Sequence, residues 1–187
     1  MIPFDPQHGA IGLNAMSAIA SSFTILFLFW SITHFARKIA ESRKKELENS
    51  DILLVMAAGV VGALAYTFSD SFWFSAVEGE VYALSSFFTG LVFWLALKWE
   101  QNVSEEHAQG ITGHFTKADR WLILIFYLMG LSIGVHLLNL LTIPAIIIIY
   151  YFKRYKATLW GTILAFVIGC VITGLVQKAV IQWSIKG

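Results

Sequence analysis

Long, nearly uninterrupted blocks of apolar residues constrain this chain more than any other feature. Six can be counted: Ile11 to Thr33, Ile52 to Phe68, Val81 to Leu97, Trp121 to Leu138, Leu140 to Tyr151 and Leu159 to Val180. A membrane helix needs about 20 mostly apolar residues. A transmembrane barrel would alternate polar and apolar residues instead. The blocks leave little charge for a water-facing surface. Charged residues make up 13% of the chain, against about 25% in soluble domains, and the mean hydropathy is +0.69. Disorder is excluded by the apolar content. A disulfide scaffold is excluded by the single cysteine, Cys170. The net charge of +1 gives no sign of nucleic-acid binding. The expected fold is all-α: one polytopic transmembrane bundle of about six spans over residues 1–187.

The fourth and fifth blocks are separated by almost nothing. They fit either two tilted spans or one re-entrant hairpin. Pro144, in the fifth, belongs in a first helical turn, where its missing N–H costs nothing. The run Pro144 to Ile149 is β-prone on paper, but unpaired backbone is too costly in lipid, so a helix is predicted.

Lysine and arginine set the orientation. Arg37, Lys38, Arg43, Lys44 and Lys45 follow the first block. Lys98, Lys117 and Arg120 follow the third, and Lys153, Arg154 and Lys156 follow the fifth. Only Lys178 and Lys186 lie on the other side. This predicts cytoplasmic placement for those three loops and an outer placement for both termini, for the Ser69–Glu80 loop and for the Leu138–Thr142 turn. Residues 99–119 read as a solvated cytoplasmic linker containing His107 and His114. Arg37 to Lys45 reads as a helix extended into the cytosol, with Glu41 and Lys45 as i, i+4 partners. Attraction to anionic lipid suffices to explain the basic run.

Two constellations can carry chemistry. The outer loop holds Asp70, Glu78 and Glu80 and no base. Carboxylates at a membrane boundary can serve as bases or hydroxyl binders. The bland reading is a capping box, Ser75-x-x-Glu78, ahead of the third block, beside an interfacial aromatic belt of Phe72, Trp73 and Phe74. Capping does not require the second acid, Glu80. If the helix continues, Glu78, Tyr82 and Ser85 share one face. The second constellation is Ser132, His136 and Asn139, spaced four and three on one predicted face. An ionisable residue within a membrane segment usually faces a bundle interior or a cavity. The bland reading has His136 bridging two helices or sitting among headgroups. No second His or Cys lies near it, so no metal and no cofactor are expected. Gly130 and Gly134 form a G-x-x-x-G pattern, read as a close helix-packing seam. Cys170, inside the sixth block, reads as inert packing.

The segment Tyr66 to Leu84, with its Ser69-Asp70-Ser71-Phe72-Trp73-Phe74-Ser75-Ala76-Val77-Glu78-Gly79-Glu80 core, resembles the hallmark of a group of bacterial multispan proteins. Gly130-Leu131-Ser132-Ile133-Gly134-Val135-His136-Leu137-Leu138-Asn139 resembles their second hallmark. Asn14 to Ala18 and Phe27 to Trp30 fit as well. Once catalogued as a domain of unknown function, the group is now placed in glycosyltransferase family 117, of the GT-C type and similar to protein O-mannosyltransferases. The resemblance covers nearly the whole chain. It implies transfer of a sugar from a polyprenyl-phosphate donor to an acceptor hydroxyl, of protein Ser or Thr or of a glycan, at the outer face of a bacterial inner membrane. It implies that Glu78, Glu80, Tyr82, His136 and Asn139 bind substrate. GT-C enzymes carry their catalytic acid in a large outer loop after their first span. Residues 1–9 resemble only the tail end of that loop, so no catalytic residue is assigned. The expectation is the membrane core of a larger protein, inactive alone. Two readings from other classes stay open, a small transporter or channel and a structural membrane subunit.

Overall fold

The computed structural model describes residues 6–44, 46–78, 81–111 and 116–186, without the side chains of 6–8, 138 and 183–186. Seven α-helices and two 3₁₀ turns account for nearly all of it, and no strand occurs among the described residues. The helices are α1 (Pro6–Arg43), α2 (Asn49–Thr67), α3 (Asp70–Val77), α4 (Val81–Ala108), α5 (Arg120–Ile133), α6 (Thr142–Arg154) and α7 (Leu159–Lys186). The reason is the solvent. In hydrocarbon each N–H and C=O must be satisfied inside its own segment, and the helix does that. The chain forms two compact units, residues 1–94 and 95–187, with the division inside α4.

Four helices are long and apolar enough to cross a membrane: Gly9–Arg43, Asn49–Thr67, Val81–Ala108 and Leu159–Gln182. The expectation of six spans is not met by the other two. α5 has 14 residues and α6 has 13, so each rises only about 20 Å against a core about 30 Å thick. The fourth apolar block breaks at Gly134, where the chain turns through Val135 and His136 into a 3₁₀ turn, Leu137–Leu141. Pro144 takes its place in the first turn of α6.

In the first unit, α1 and α2 pack through glycines. A Cβ at Gly59 would lie 2.8 Å from Phe29, and one at Gly62 would lie 2.6 Å from Ile32. Shape, not hydrophobicity, drives such contacts when the solvent is itself apolar. The opposite stripe of α1, with Ser17, Ala20, Ser21, Thr24, Phe27 and Ser31, is buried. Thr24 and Ser31 donate to the carbonyls of Ala20 and Phe27, one turn back. Rings fill the remaining space. Trp94 lies 5.5 Å from Phe27 and 5.2 Å from Trp30, and Phe87 lies 5.9 Å from Phe27. On α1, Glu41 pairs with Arg37 at 2.7 Å; the expected partner, Lys45, lies outside the described residues.

In the second unit, α6 and α7 form an antiparallel pair whose register can be followed from end to end. Tyr151 accepts from the Thr158 N–H at 3.2 Å and crowds Gly161. A Cβ at Gly169 would lie 2.6 Å from the Pro144 Cα. Thr173 Oγ1 donates to the Leu140 carbonyl at 3.4 Å. The expected seam at Gly130 and Gly134 does not form among the described residues. A Cβ at Gly130 would meet nothing within 4 Å, and one at Gly134 only the Leu131 carbonyl of its own turn.

Candidate functional site

The acids between α2 and α4 are not arranged as the spacing suggested. Residues 70–77 make a short helix of their own, because Ser69 is extended and Asp70 follows it in the first turn. Phe72 is its buried residue and packs tilted against Tyr66, with ring centres 4.6 Å apart. Trp73 and Phe74 remain exposed. Ser75 therefore lies inside α3, and its hydroxyl donates to the Ser71 carbonyl at 2.9 Å. Glu78 ends that helix, with its N–H bonded to the Phe74 carbonyl at 3.0 Å. The capping-box reading of Ser75 and Glu78 is thus corrected. Glu78 is extended, φ −86° and ψ 135°, while α4 starts only at Val81. Glu78 consequently shares no helical face with Tyr82 and Ser85. Its side chain is exposed, and Tyr82 is half exposed on the first turn of α4. Glu80 lies outside the described residues.

The second constellation does come together, by a different geometry. Because α5 stops at Ile133, Ser132, His136 and Asn139 do not share one helical face. The carbonyl of Ser132 gathers them instead. It accepts from the N–H of Val135 at 3.0 Å, from the N–H of His136 at 2.9 Å and from the Asn139 Nδ2 at 3.4 Å. Ser132 donates its hydroxyl to the Met129 carbonyl at 2.8 Å. Thr142 Oγ1 donates to the Asn139 carbonyl at 2.7 Å, securing the start of α6. Ser132, Asn139 and Thr173 are buried, and His136 is half-buried. Glu78 and Tyr82 belong to the first unit, His136 and Asn139 to the second.

A third constellation escaped the sequence. Residues 99–119, expected as a solvated linker, carry two ion pairs whose carboxylates, Glu100 and Asp119, are buried. α4 runs on to Ala108, and Trp99, Val103 and Ala118 form a core against Trp121, Leu122, Ile149 and Tyr150. Asp119 is 7% exposed. It accepts from Arg154 Nη2 at 2.7 and 2.8 Å, from the Trp99 indole at 3.1 Å and from the Thr116 N–H at 2.9 Å. Burial by itself would push this carboxyl up. The Thr116 N–H, the Trp99 indole and the Arg154 guanidinium together outweigh that and hold it below the usual carboxylate range. Beside it Lys153 pairs with the buried Glu100 and donates to Ser104 Oγ at 2.6 Å. Glu106 Oε1 accepts from the Ala118 N–H at 3.0 Å. The one local signal for this cluster is Thr116-x-x-Asp119, a capping-box spacing. Its partners, Trp99 and Arg154, are distant in sequence, so spacing alone does not point to them.

Among the described residues no three His, Cys, Asp or Glu side chains gather closely enough to hold a metal ion. The polar groups of the first two constellations are an imidazole, an amide, hydroxyls and exposed carboxylates. These suit hydrogen bonding to hydroxyl-bearing molecules.

An all-helical chain with four membrane-length apolar helices and polar groups set within its short segments is an integral membrane protein by class. Residues 1–159 match the family model for the protein O-mannosyl-transferase TMEM260 N-terminal domain. The match spans well over half of the chain, which belongs to that family. No curated protein and no solved structure matches it significantly.

Proposed function

We propose that the chain is the membrane core of a GT-C-type glycosyltransferase that moves a sugar from a polyprenyl-phosphate donor to an acceptor hydroxyl on the outer face of a bacterial inner membrane. The acceptor is a protein Ser or Thr, or a glycan hydroxyl. The hydroxyl oxygen attacks the anomeric carbon, a base takes its proton, and the carbon–oxygen bond to phosphate breaks with its electron pair leaving on polyprenyl phosphate. Glu78, Glu80, Tyr82, His136 and Asn139 are assigned to substrate binding. The observation that carries this reading is the family match over residues 1–159.

The proposed orientation rests on the basic residues. Four crossing helices and a short α5–α6 pair that returns to its starting side keep the same parity as six spans. The segments with eleven of the 13 basic residues then share the cytoplasmic face, and both termini lie outside. The test is transfer of labelled mannose from polyprenyl-phosphate mannose to a Ser/Thr peptide, in membranes containing the full-length protein. Glu80→Gln and His136→Gln should lower the transfer rate about 10²-fold or more if they touch the reacting groups, with unchanged amounts of folded protein. Full activity in both variants would remove these residues from the site. Absence of transfer by the unaltered protein, with any polyprenyl-linked sugar, would remove the activity itself.

A further inference from the structure

We propose that the turn between α1 and α2 seats one anionic phospholipid, with its phosphate held by Arg43 and Lys44 and one acyl chain lying in the apolar groove beside them. The inference uses the first unit alone and does not depend on the proposed sugar transfer.

The groove begins where the glycine packing of α1 on α2 ends. The face of α1 that meets α2 runs through Phe29, Thr33, Ala36 and Ala40, at spacings of four, three and four, and the facing residues of α2 are Gly59, Val55 and Asp51. Phe29 and Thr33 close on Gly59. Nearer the turn that face of α1 carries alanine methyls, and a groove of about 400 Å³ opens, with Ala36, Ile39, Ala40, Leu54 and Val55 along its apolar length. Arg43, Lys44 and Asp51 line its turn end. Small-molecule sites span about 300–1,000 Å³. The groove also crosses the edge of the bilayer. α2 has 19 residues and rises about 28 Å, close to the core thickness of about 30 Å. Asp51, the third of them, stands at the boundary, and Lys44 is bonded to it at 3.0 Å. Val55 is about 6 Å deeper, and Ala36 is about 10 Å from Arg43 along α1. A water-soluble anion would fill only the charged end, and an alkyl chain only the apolar length. An amphiphile fills both.

The charges fit a phosphodiester. Arg43 is exposed and pairs with no carboxylate among the described residues. Its guanidinium can bind two phosphate oxygens at once. Lys44 gives two N–H donors to the Asp51 oxygens, at 3.1 and 3.0 Å, and keeps a third. Two cations against one acid leave a single positive charge at the turn end, equal and opposite to that of a phosphodiester. The other nearby acids do not cancel it. Glu41 is taken by Arg37 at 2.7 Å, and Glu46 and Glu48 do not line the groove. Asp51 also decides between headgroups. Both its oxygens are committed to Lys44, and one also accepts from the Glu48 N–H at 3.1 Å. It has little left to offer the ammonium of a zwitterionic lipid. A basic run beside a membrane attracts anionic lipid diffusely; the groove gives one such lipid a fixed seat.

The test is native mass spectrometry of the full chain in detergent, titrated with phosphatidylglycerol or with phosphatidylcholine of the same acyl chains. One phosphatidylglycerol should be retained at a concentration that loads no phosphatidylcholine. Arg43→Gln should weaken that binding about tenfold, the effect of losing one charge-assisted hydrogen bond. Lys38→Gln removes the same charge from the same run, but outside the groove, and should leave the affinity nearly unchanged. Ala40→Phe fills the groove without altering charge and should weaken binding as much as Arg43→Gln. Ala36→Leu repeats the filling should Ala40→Phe lower the lipid-free unfolding midpoint. Inorganic phosphate in excess should not displace the lipid. Equal loss in Lys38→Gln and Arg43→Gln would mean diffuse attraction and would overturn the proposal. So would unchanged affinity in the filled variants or equal retention of phosphatidylcholine. Displacement by inorganic phosphate would overturn it too, by making the turn a site for free anions.

Discussion

The same local device appears in each unit, before α2 and before α5, and the two copies differ in what surrounds them. Before α2, Asp51 reaches back to the N–H of Glu48 at 3.1 Å and pairs with Lys44 at 3.0 Å. Before α5, Asp119 reaches back to the N–H of Thr116 at 2.9 Å and pairs with Arg154 at 2.7 Å. Each is an acid three residues after a capping position, holding a helix start and a cation. Lys44 is half exposed and lies seven residues from its acid. Arg154 is 11% exposed and comes from a helix 35 residues away. The first copy closes a turn that α1 and α2 already define by glycine packing. The second ties together the ends of α5 and α6, and the indole of Trp99 on α4 bonds the same carboxylate. Burial turns a turn ornament into a structural joint, because a charge left alone out of water is costly while one left alone in water is not.

The largest effect should therefore follow removal of one partner from the buried copy. Asp119→Ala leaves the Arg154 guanidinium and the Trp99 indole without their carboxylate. Breaking one side of a buried pair costs about 3–5 kcal/mol. Thermal unfolding in detergent should show a large fall in midpoint for Asp119→Ala and a much smaller one for Asp51→Ala. Equal falls would erase the distinction between the two turns.

The next effect tests what holds the first unit instead. Gly59→Leu forces a branched side chain against Phe29 and Thr33, where even a Cβ is crowded. Overpacking of this kind costs about 1–3 kcal/mol. Gly130→Leu, whose Cβ position is open, should change the midpoint little. Loss of stability at Gly130 but not at Gly59 would restore the G-x-x-x-G seam and reverse the assignment.

These contrasts show what the sequence made legible. The apolar blocks gave the four long helices because lipid accepts almost nothing else, and Pro144 marked the first turn of α6 because its ring fits only there. Glu78 was misplaced because the aromatic run Phe72 to Phe74, read as a loop in an interfacial belt, folds into its own helix. His136 and Asn139 meet Ser132 through a carbonyl exposed by a helix break, not along the continuous face that their spacing suggested. Gly59, Gly62 and Ala63 line one face of α2 at spacings of three and four, as legible as Gly130 and Gly134, yet only the structure shows which set meets a neighbouring helix. The Asp119 cluster was the least visible. Polar residues in a loop suggest solvent, and only the return of Arg154 from a distant helix makes Asp119 buried.

Acid should sharpen the comparison next. Both carboxyls lie below their ordinary value in the folded chain, and an unfolded aspartate titrates near about 3.9. Each pair thus contributes stability that is fully present above about pH 5 and is lost as the pH falls through the folded value. A midpoint measured from pH 6 to pH 3 should drop steadily below about pH 4. Asp119→Asn should flatten most of the drop that these two residues share, and Asp51→Asn little of it. The reverse ranking would mean that the exposed copy is the stronger proton-linked joint.

Salt separates the two copies with the smallest signal. Lys44 stands half in water and Asp51 is 16% exposed, and hydrogen bonding and charge attraction between them raise the lysine and lower the aspartate. Added ions shorten the reach of such exposed charges to about 3 Å at 1 M. Raising NaCl from 0.05 to about 1 M should therefore remove whatever this pair contributes. Lys44→Met should have a midpoint just below that of the unaltered chain at low salt and indistinguishable from it at high salt. The Asp119–Arg154 pair, closed off by Trp99 and the Thr116 turn, should keep its contribution, so that Asp119→Ala stays equally destabilised at both salt levels. Screening that rescued Asp119→Ala as well would show that water and ions reach Arg154. The second turn would then belong with the first as a solvated ornament, and the ends of α5 and α6 would no longer be tied by a buried pair.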